Sequence, residues 1–323
     1  MHLVFLTPSD EPAGGGSAFN AGLVPGLRAL GHLVDVQHGV AMLPHGAIPV
    51  VDGLLLPDLE PQLDTLLAHD AIAIIHHVSA KAGRDRAARD AVRDVERRVL
   101  PRLRRVLATS VPVQERLQAE FGLAAVQVLD PGLPDLRRSE GSGGPGCRIL
   151  SLGVLTPRKG HDRLLRALVR LLDLDWTLTI AGDARRDPVH AAAIAALVDD
   201  LGLGARVTVC PDPSHEALAP LWHTANLFAL ASSWEGYPAA LAESLRRGVP
   251  VVATRVGGVE ALVPQAAGIL CPPDDPATFG KCLRRAIFDA PLRASLAEAA
   301  WTAGQALPGW PQQALAFETL LRS

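Results

Sequence analysis

Two carboxylates lie eight positions apart in the stretch Ser233–Gly248, Glu235 in a turn and Glu243 inside a helix. Asn226–Ala231 ahead of them reads as a short apolar strand. Gly236 and Pro238 forbid a regular start, and Ala239–Arg247 is rich in helix formers and stops at Gly248. The pattern is strand, turn, helix, with Glu235 at the mouth and Glu243 about two turns in. At the carboxyl end of a parallel strand, this is where open α/β sheets place ligands. Ionised carboxylates accept hydrogen bonds from paired hydroxyls, so they suit a hydroxyl-rich ligand. The same spacing also fits an acid that favours a helix dipole followed by an exposed helical glutamate.

Three other places carry residues of chemical use. Arg158 and Lys159 end the Gly153–Gly160 turn just before a helix, where fixed cations and orphan N–H groups together suit a diphosphate. Such cations can neutralise negative charge that develops on a phosphate oxygen without a metal. Gly14, Gly15 and Gly16 follow the first strand, and consecutive glycines let a backbone approach a phosphate closely. His76 and His77 follow the apolar run that ends at Ile75. Histidine there can hydrogen-bond a ligand hydroxyl or move a proton near neutral pH, with His76 the favoured member of the pair. Each place also has a plainer reading, as a solvated turn, a flexible loop or a structural histidine.

Glu235 to Glu243 resembles the E-x7-E signature of GT-B glycosyltransferases, in particular the retaining, nucleotide-sugar-dependent family 4 of the glycosyltransferase group 1 type. Gly14–Gly16, Leu152–Asp162 and Ala253–Glu260 resemble the same family, in its order and across most of the chain. One departure stands out: the arginine usual after the first glycine of the second motif is Val154 here. The resemblance implies an α/β, GT-B chain whose two Rossmann-like, doubly wound domains face a central cleft. It implies transfer of a sugar from a nucleotide-sugar donor, such as a UDP- or GDP-sugar, to an unidentified acceptor with retention at the anomeric carbon. Glu243 would hold ribose hydroxyls, and Glu235 with the backbone of Gly236 and Tyr237 would hold the donor sugar. Lys159, Arg158, Gly15 and Gly16 would hold the diphosphate, Gly258 would approach the nucleotide or sugar, and His76 would lie near the reacting carbon. Glu235, His76 and Lys159 are thus the expected catalytic residues. A GT-B nucleotide-sugar epimerase and a non-catalytic nucleotide-sugar-binding protein share this pattern.

The elements that must position these residues alternate strand and helix, which argues parallel, doubly wound sheets. In the first half, strands are expected at His2–Thr7, Leu33–Gln37, Ile48–Val51, Ala71–Ile75, Arg105–Thr109 and Ala125–Leu129, with helices at about Ser17–Leu30, Leu59–Ala68 and Arg84–Arg105. A dinucleotide fold is disfavoured because the third glycine position of Gly-x-Gly-x-x-Gly, counted from Gly14, holds Phe19. Gly141–Gly146 has linker composition, which divides the chain into a first, acceptor-side domain over 1–140 and a nucleotide-sugar-binding domain over 147–305, with a last helix over 306–323 returning to the first. The second half promises strands at Arg148–Leu152, Trp176–Ala181, Val207–Cys210, Asn226–Ala231 and Val249–Ala253. Its expected helices include His161–Leu172, one opened by Gly257–Gly258, and one near Pro276 capped by Asp274–Asp275.

Composition excludes several classes. A hydrophobic share of 48% against 20% charged residues supports ordinary buried cores. A net charge of −3 and 4% aromatics give no basis for nucleic acid as a partner. The four cysteines form no Cys-x-x-Cys pair, and Asp183 lacks the second acid of an Asp-x-Asp because residue 185 is Arg, so neither metal nor cofactor is expected. Met1–Pro8 lacks a basic flank and reads as a strand rather than a signal peptide, and no apolar run nears the ~20 residues of a membrane span. A cytoplasmic location is expected. The arginine-dense Arg84–Arg105 stretch reads as a solvated, ion-paired face or as a weak peripheral contact with anionic lipid at the inner face of the membrane.

Overall fold

A computed structural model describes residues 1–8, 15–39, 42–78 and 86–322. The chain forms two units: Met1–Pro134 with Pro308–Ser323, and Asp135–Leu307. The Gly141–Gly146 stretch lies inside the second unit. There Ser142 Oγ donates to the Gly146 carbonyl, and Ser139 Oγ ties the preceding backbone to the carbonyls of His223 and Ala225, both at 2.9 Å.

The first unit is built on a parallel sheet of β1 (His2–Thr7), β2 (Leu33–His38), β3 (Ile48–Asp52), β4 (Ile72–Ile75), β5 (Arg105–Ala108) and β6 (Val126–Val128), in the order β2-β1-β3-β4-β5-β6. The central strands are unbroken apolar runs because helices cover both faces; Ile72–Ile75 is buried throughout. Edge strand β2 instead alternates, with Leu33 60% exposed beside buried Val34. The last helix, Trp310–Arg322, packs into this unit's core, with the Phe317 ring 6.3 Å from that of Phe5.

Several local expectations change. The helix expected over Leu59–Ala68 is broken into Leu56–Leu59, a tight turn Glu60–Gln62 and Leu63–Ala68, because Pro61 lacks the N–H a continuous helix needs; Pro57 sits in a first turn, where none is required. The arginine-rich helix runs Arg86–Val99 and stops before Pro101; residues 79–85, including Arg84, lie outside the described residues. Its arginines meet acids in place: Arg97 to Asp94 at 2.8 Å, Arg98 to Glu60 at 2.6 Å and Arg93 to Glu120 at 3.3 Å. This pairing accords with the solvated-face reading. A helix absent from the expectations, Val111–Phe121, is capped by Ser110, whose Oγ accepts from Val113 N, and closed by Gly122. Among the described residues no helix is long and apolar enough to cross a membrane.

The second unit holds β7 (Cys147–Leu152), β8 (Trp176–Gly182), β9 (Val207–Pro211), β10 (Leu227–Leu230), β11 (Val251–Thr254) and β12 (Gly268–Cys271), all parallel, in the order β9-β8-β7-β10-β11-β12. Edge strand β12 was not expected from the sequence. One core cluster, with Leu164, Leu165, Phe279 and Leu283, and another, with Trp222, Leu241, Leu245 and Val259, pack on this sheet, as a doubly wound arrangement requires. Strand order reverses between β7 and β10, so the chain leaves those neighbouring strands toward opposite edges. The turns after them lie side by side at this switch point, the place where open α/β sheets bind ligands.

Candidate active site

The turn after β7 contains Arg158 and Lys159, and the turn after β10 contains Ser232–Pro238. Gly160 lets the first turn meet the second. Its φ is +67°, and a Cβ there would sit 2.0 Å from the Ala231 carbonyl oxygen. The turns are stitched by Ser233 N donating to the Arg158 carbonyl at 2.8 Å and by Arg158 Nη1 donating to the Trp234 carbonyl at 2.6 Å. A third turn, after β11, joins them: Gly258 N donates to the Glu235 carbonyl at 3.0 Å. Gly257 makes that approach feasible, with φ +49° and a built Cβ only 1.9 Å from the same oxygen. The helix expected to open at Gly257–Gly258 is only the single turn Val259–Leu262.

Glu235 is the hub of the three turns. Its carboxylate accepts from Lys159 Nζ at 2.7 Å and Ser232 Oγ at 2.6 Å through Oε1, while Oε2 lies 3.2 Å from Arg158 Nη1. The Glu235 side chain is 2% exposed, Lys159 11% and Arg158 33%. Burial alone would push the Glu235 carboxyl up, but the charges of Lys159 and Arg158, with the hydrogen bonds from Lys159 and Ser232, hold it down at about 2. Burial lowers the Lys159 ammonium, with Glu235 opposing and Arg158 reinforcing the shift. Two cations face one carboxylate, so the cluster carries one surplus positive charge beside the start of the His161–Leu168 helix. That arrangement can hold an anion. The side-chain oxygens of Glu235 are themselves taken up within the protein.

His161, part of the Leu152–Asp162 stretch and the start of the helix after it, lies fully buried. Burial, with the positive charge of Lys159, pushes its imidazole down to about 3, so it is neutral and adds no cation. Its sequence signal was its place in the Leu152–Asp162 stretch, directly after Gly160.

Glu243 lies one turn, rather than two, into the Ala239–Arg246 helix, with its side chain 26% exposed. Arg247 holds it: Nε and Nη2 both donate to Oε1, at 3.0 and 2.8 Å. Gly236 and Gly258 are buried in the converging turns, and Tyr237 is half-buried, its carbonyl accepting from Ala239 N.

The sequence-derived residues of the first unit gather by themselves at the carboxyl edge of its sheet. Gly15 and Gly16 form the first turn of the helix Gly15–Ala29; Gly14 lies outside the described residues. His76 follows β4, packed edge-on against Phe19 with centroids 5.2 Å apart, and its Nε2 is 3.8 Å from Asp52 Oδ2 at the end of β3. Asp52 is held by Leu54 N donating to its Oδ1 at 2.9 Å. Burial pushes His76 down to about 4. The imidazole is therefore neutral at neutral pH, and its buried Nε2 has no hydrogen-bond partner among the described residues, so it can meet a ligand as a neutral group.

The sequence profile of glycosyl transferases group 1 matches residues 134–302, just over half of the 323 residues. The chain belongs to that family. The D-inositol 3-phosphate glycosyltransferase 1 of Catenulispora acidiphila is 32% identical over 175 residues, 51% of this chain and 41% of the relative. That of Salinispora arenicola is 31% identical over 203 residues, 54% of this chain and 44% of the relative. The chain thus spans less than half the length of these curated relatives. Among solved structures, the sucrose-phosphate synthase of Thermosynechococcus elongatus superposes with a TM-score of 0.84 at 20% identity, covering 100% of this chain and 98% of that one. Anabaena HepE in complex with UDP-glucose gives 0.83 at 17%, covering 100% and 99%. At these identities the likeness is one of fold, and the fold is the α/β, two-domain GT-B class.

Proposed function

We propose that this chain is a family 4 glycosyltransferase that moves a hexosyl group from a nucleotide sugar to an acceptor hydroxyl, with retention and without a metal ion. The observation that carries the reading is the Lys159–Glu235–Arg158 cluster at the strand-order switch of the second sheet, with its surplus positive charge. The donor diphosphate would lie against Lys159 and Arg158. As the bond from the sugar C1 to the diphosphate breaks, negative charge grows on the leaving oxygen, and cations held rigidly in place stabilise it without reorganising. The acceptor oxygen bonds to C1 from the same face, and its proton passes to the departing phosphate oxygen. Glu235 serves by fixing both cations, and the Gly236–Tyr237 backbone offers donors to the sugar. Arg158 supplies the guanidinium that Val154 does not.

Glu243 would take the ribose hydroxyls. His76 would hydrogen-bond the sugar as a neutral imidazole, and Gly15 and Gly16 would approach the diphosphate. UDP-glucose, named in the HepE complex, is the first donor to test, and an inositol phosphate, named in the curated relatives, the first acceptor. The proposed location of the enzyme is the cytoplasm. The ion-paired arginine helix leaves lipid contact a minor part of it.

The test incubates the chain with UDP- and GDP-sugars and acceptors, follows nucleoside diphosphate release, and assigns the product anomer by NMR with and without EDTA. Acceptor-dependent release with retained configuration, undiminished by EDTA, is expected. Tight donor binding without any turnover, or epimerised donor formed without acceptor, would overturn the reading.

A further inference from the structure

We propose that Arg247 is the positioning residue for Glu243, locking its carboxylate so that a single oxygen, Oε2, faces the ribose diol of the donor. This rests on the reading of Glu243 as a hydroxyl acceptor given above. An arginine–carboxylate pair commonly closes as a fork that consumes both oxygens. Here both donors of Arg247 converge on Oε1, and among the described residues no hydrogen bond goes to Oε2.

The cation is the anchored partner. Its side chain is 11% exposed against 26% for Glu243, and its guanidinium lies 5.6 Å over the Trp222 ring. That ring is 1% exposed and stacks on Phe228 at 5.4 Å and 14°. An ordinary exposed i,i+4 ion pair holds neither partner in place and stabilises little. This one fixes a helical glutamate against a rigid aromatic base. The ordering cost of a long side chain is then met on folding rather than on binding. The two lone pairs of Oε2 match two neighbouring hydroxyls, so the lock favours a ribose over a deoxyribose.

Calorimetric titration of UDP, GDP and their 2′-deoxy counterparts into the wild type, Arg247→Met, Arg247→Lys and Glu243→Gln tests this. Methionine keeps an apolar stem over Trp222 and removes the two donors. The wild type should prefer the ribonucleotide by about tenfold or more, as expected for a hydrogen bond to a charged group. Arg247→Met should weaken ribonucleotide binding about 2- to 10-fold, leave the deoxy form nearly unchanged and so shrink the preference. Arg247→Lys should restore part of it. A purely structural role would weaken both nucleotides alike.

An unchanged preference in Arg247→Met, with its collapse in Glu243→Gln, would overturn the inference and leave the role of Glu243 standing. No effect of Glu243→Gln would remove that role and the inference with it, and so would failure of both ribonucleotides to bind the wild type. If Arg247→Met does not fold, Arg247→Lys carries the same comparison, and a full ribose preference there overturns the lock.

Discussion

Lys159 Nζ and Glu235 Oε1 lie 2.7 Å apart although 76 positions separate the residues in the chain. Their pairing joins the turns after β7 and β10 at the strand-order switch. It also places a buried cation beside a second one, Arg158, with only one carboxylate between them. A cluster charged in this way can hold an anionic ligand.

Removing the carboxylate should cost stability. Glu235→Gln leaves two cations facing each other in a buried site, and breaking a buried pair costs roughly 3–5 kcal/mol. Urea denaturation of the variant should show a loss of that order. A loss below about 1 kcal/mol would mean that solvent, not Glu235, balances Lys159.

Lys159→Ala should act on rate more than on affinity. A preorganised donor aimed at developing charge is worth about 10²- to 10³-fold in kcat, with donor binding changed less. Arg158→Ala, at a side chain one-third exposed, should lower kcat less. Steady-state kinetics with the active donor decides this, and an unaltered kcat for Lys159→Ala would move the diphosphate elsewhere.

Acid should destabilise the fold in two overlapping stages. The buried imidazoles of His76 and His161 titrate at about 4 and about 3 when folded, against 6.5 ordinarily. The unfolded chain takes up their protons first, so stability falls as pH drops below 6.5. Glu235 is held at about 2 against an ordinary 4.5, so its contribution, roughly 3 kcal/mol by linkage, is complete above pH 4.5 and lost as pH falls toward 2. Denaturation curves between pH 3 and 8 should slope accordingly, and His76→Phe should flatten the portion from 6.5 to 4. A flat wild-type profile above pH 4.5 contradicts the burial of both histidines.

Gly257→Ala should open the third turn. A side chain at φ +49° is strained, and its Cβ would lie 1.9 Å from the Glu235 carbonyl. Loss beyond about 1 kcal/mol is expected, because alanine at positive φ destabilises by more than its reduced chain entropy returns. Nucleotide binding should weaken with it, and a variant as stable as the wild type would show that the turn can relax.

The alternation of strands and helices was legible because it is written in neighbouring residues. Ile72–Ile75 and Leu227–Leu230 are apolar throughout since both faces of a parallel sheet are covered, and Gly248 marks a helix end by its own conformational freedom. The break at Pro61 was equally local and was overlooked. Edge strand β12, Gly268–Cys271, was overlooked as well. Among site residues, types and approximate places could be read from sequence: Glu235 and Glu243 eight apart, Lys159 before a helix, and His76 after a strand.

Which charges meet, and what burial does to them, was decided only in three dimensions. Glu235 reads as a ligand-facing acid in its own turn, yet residues brought from another strand end consume its oxygens. His76 reads as a group that titrates near neutrality until Phe19 and the surrounding core remove its water. A periodicity is a property of consecutive side chains and survives in the sequence. Desolvation and Coulomb energy are sums over whatever the fold brings within a few ångströms, and no single stretch of chain contains those neighbours.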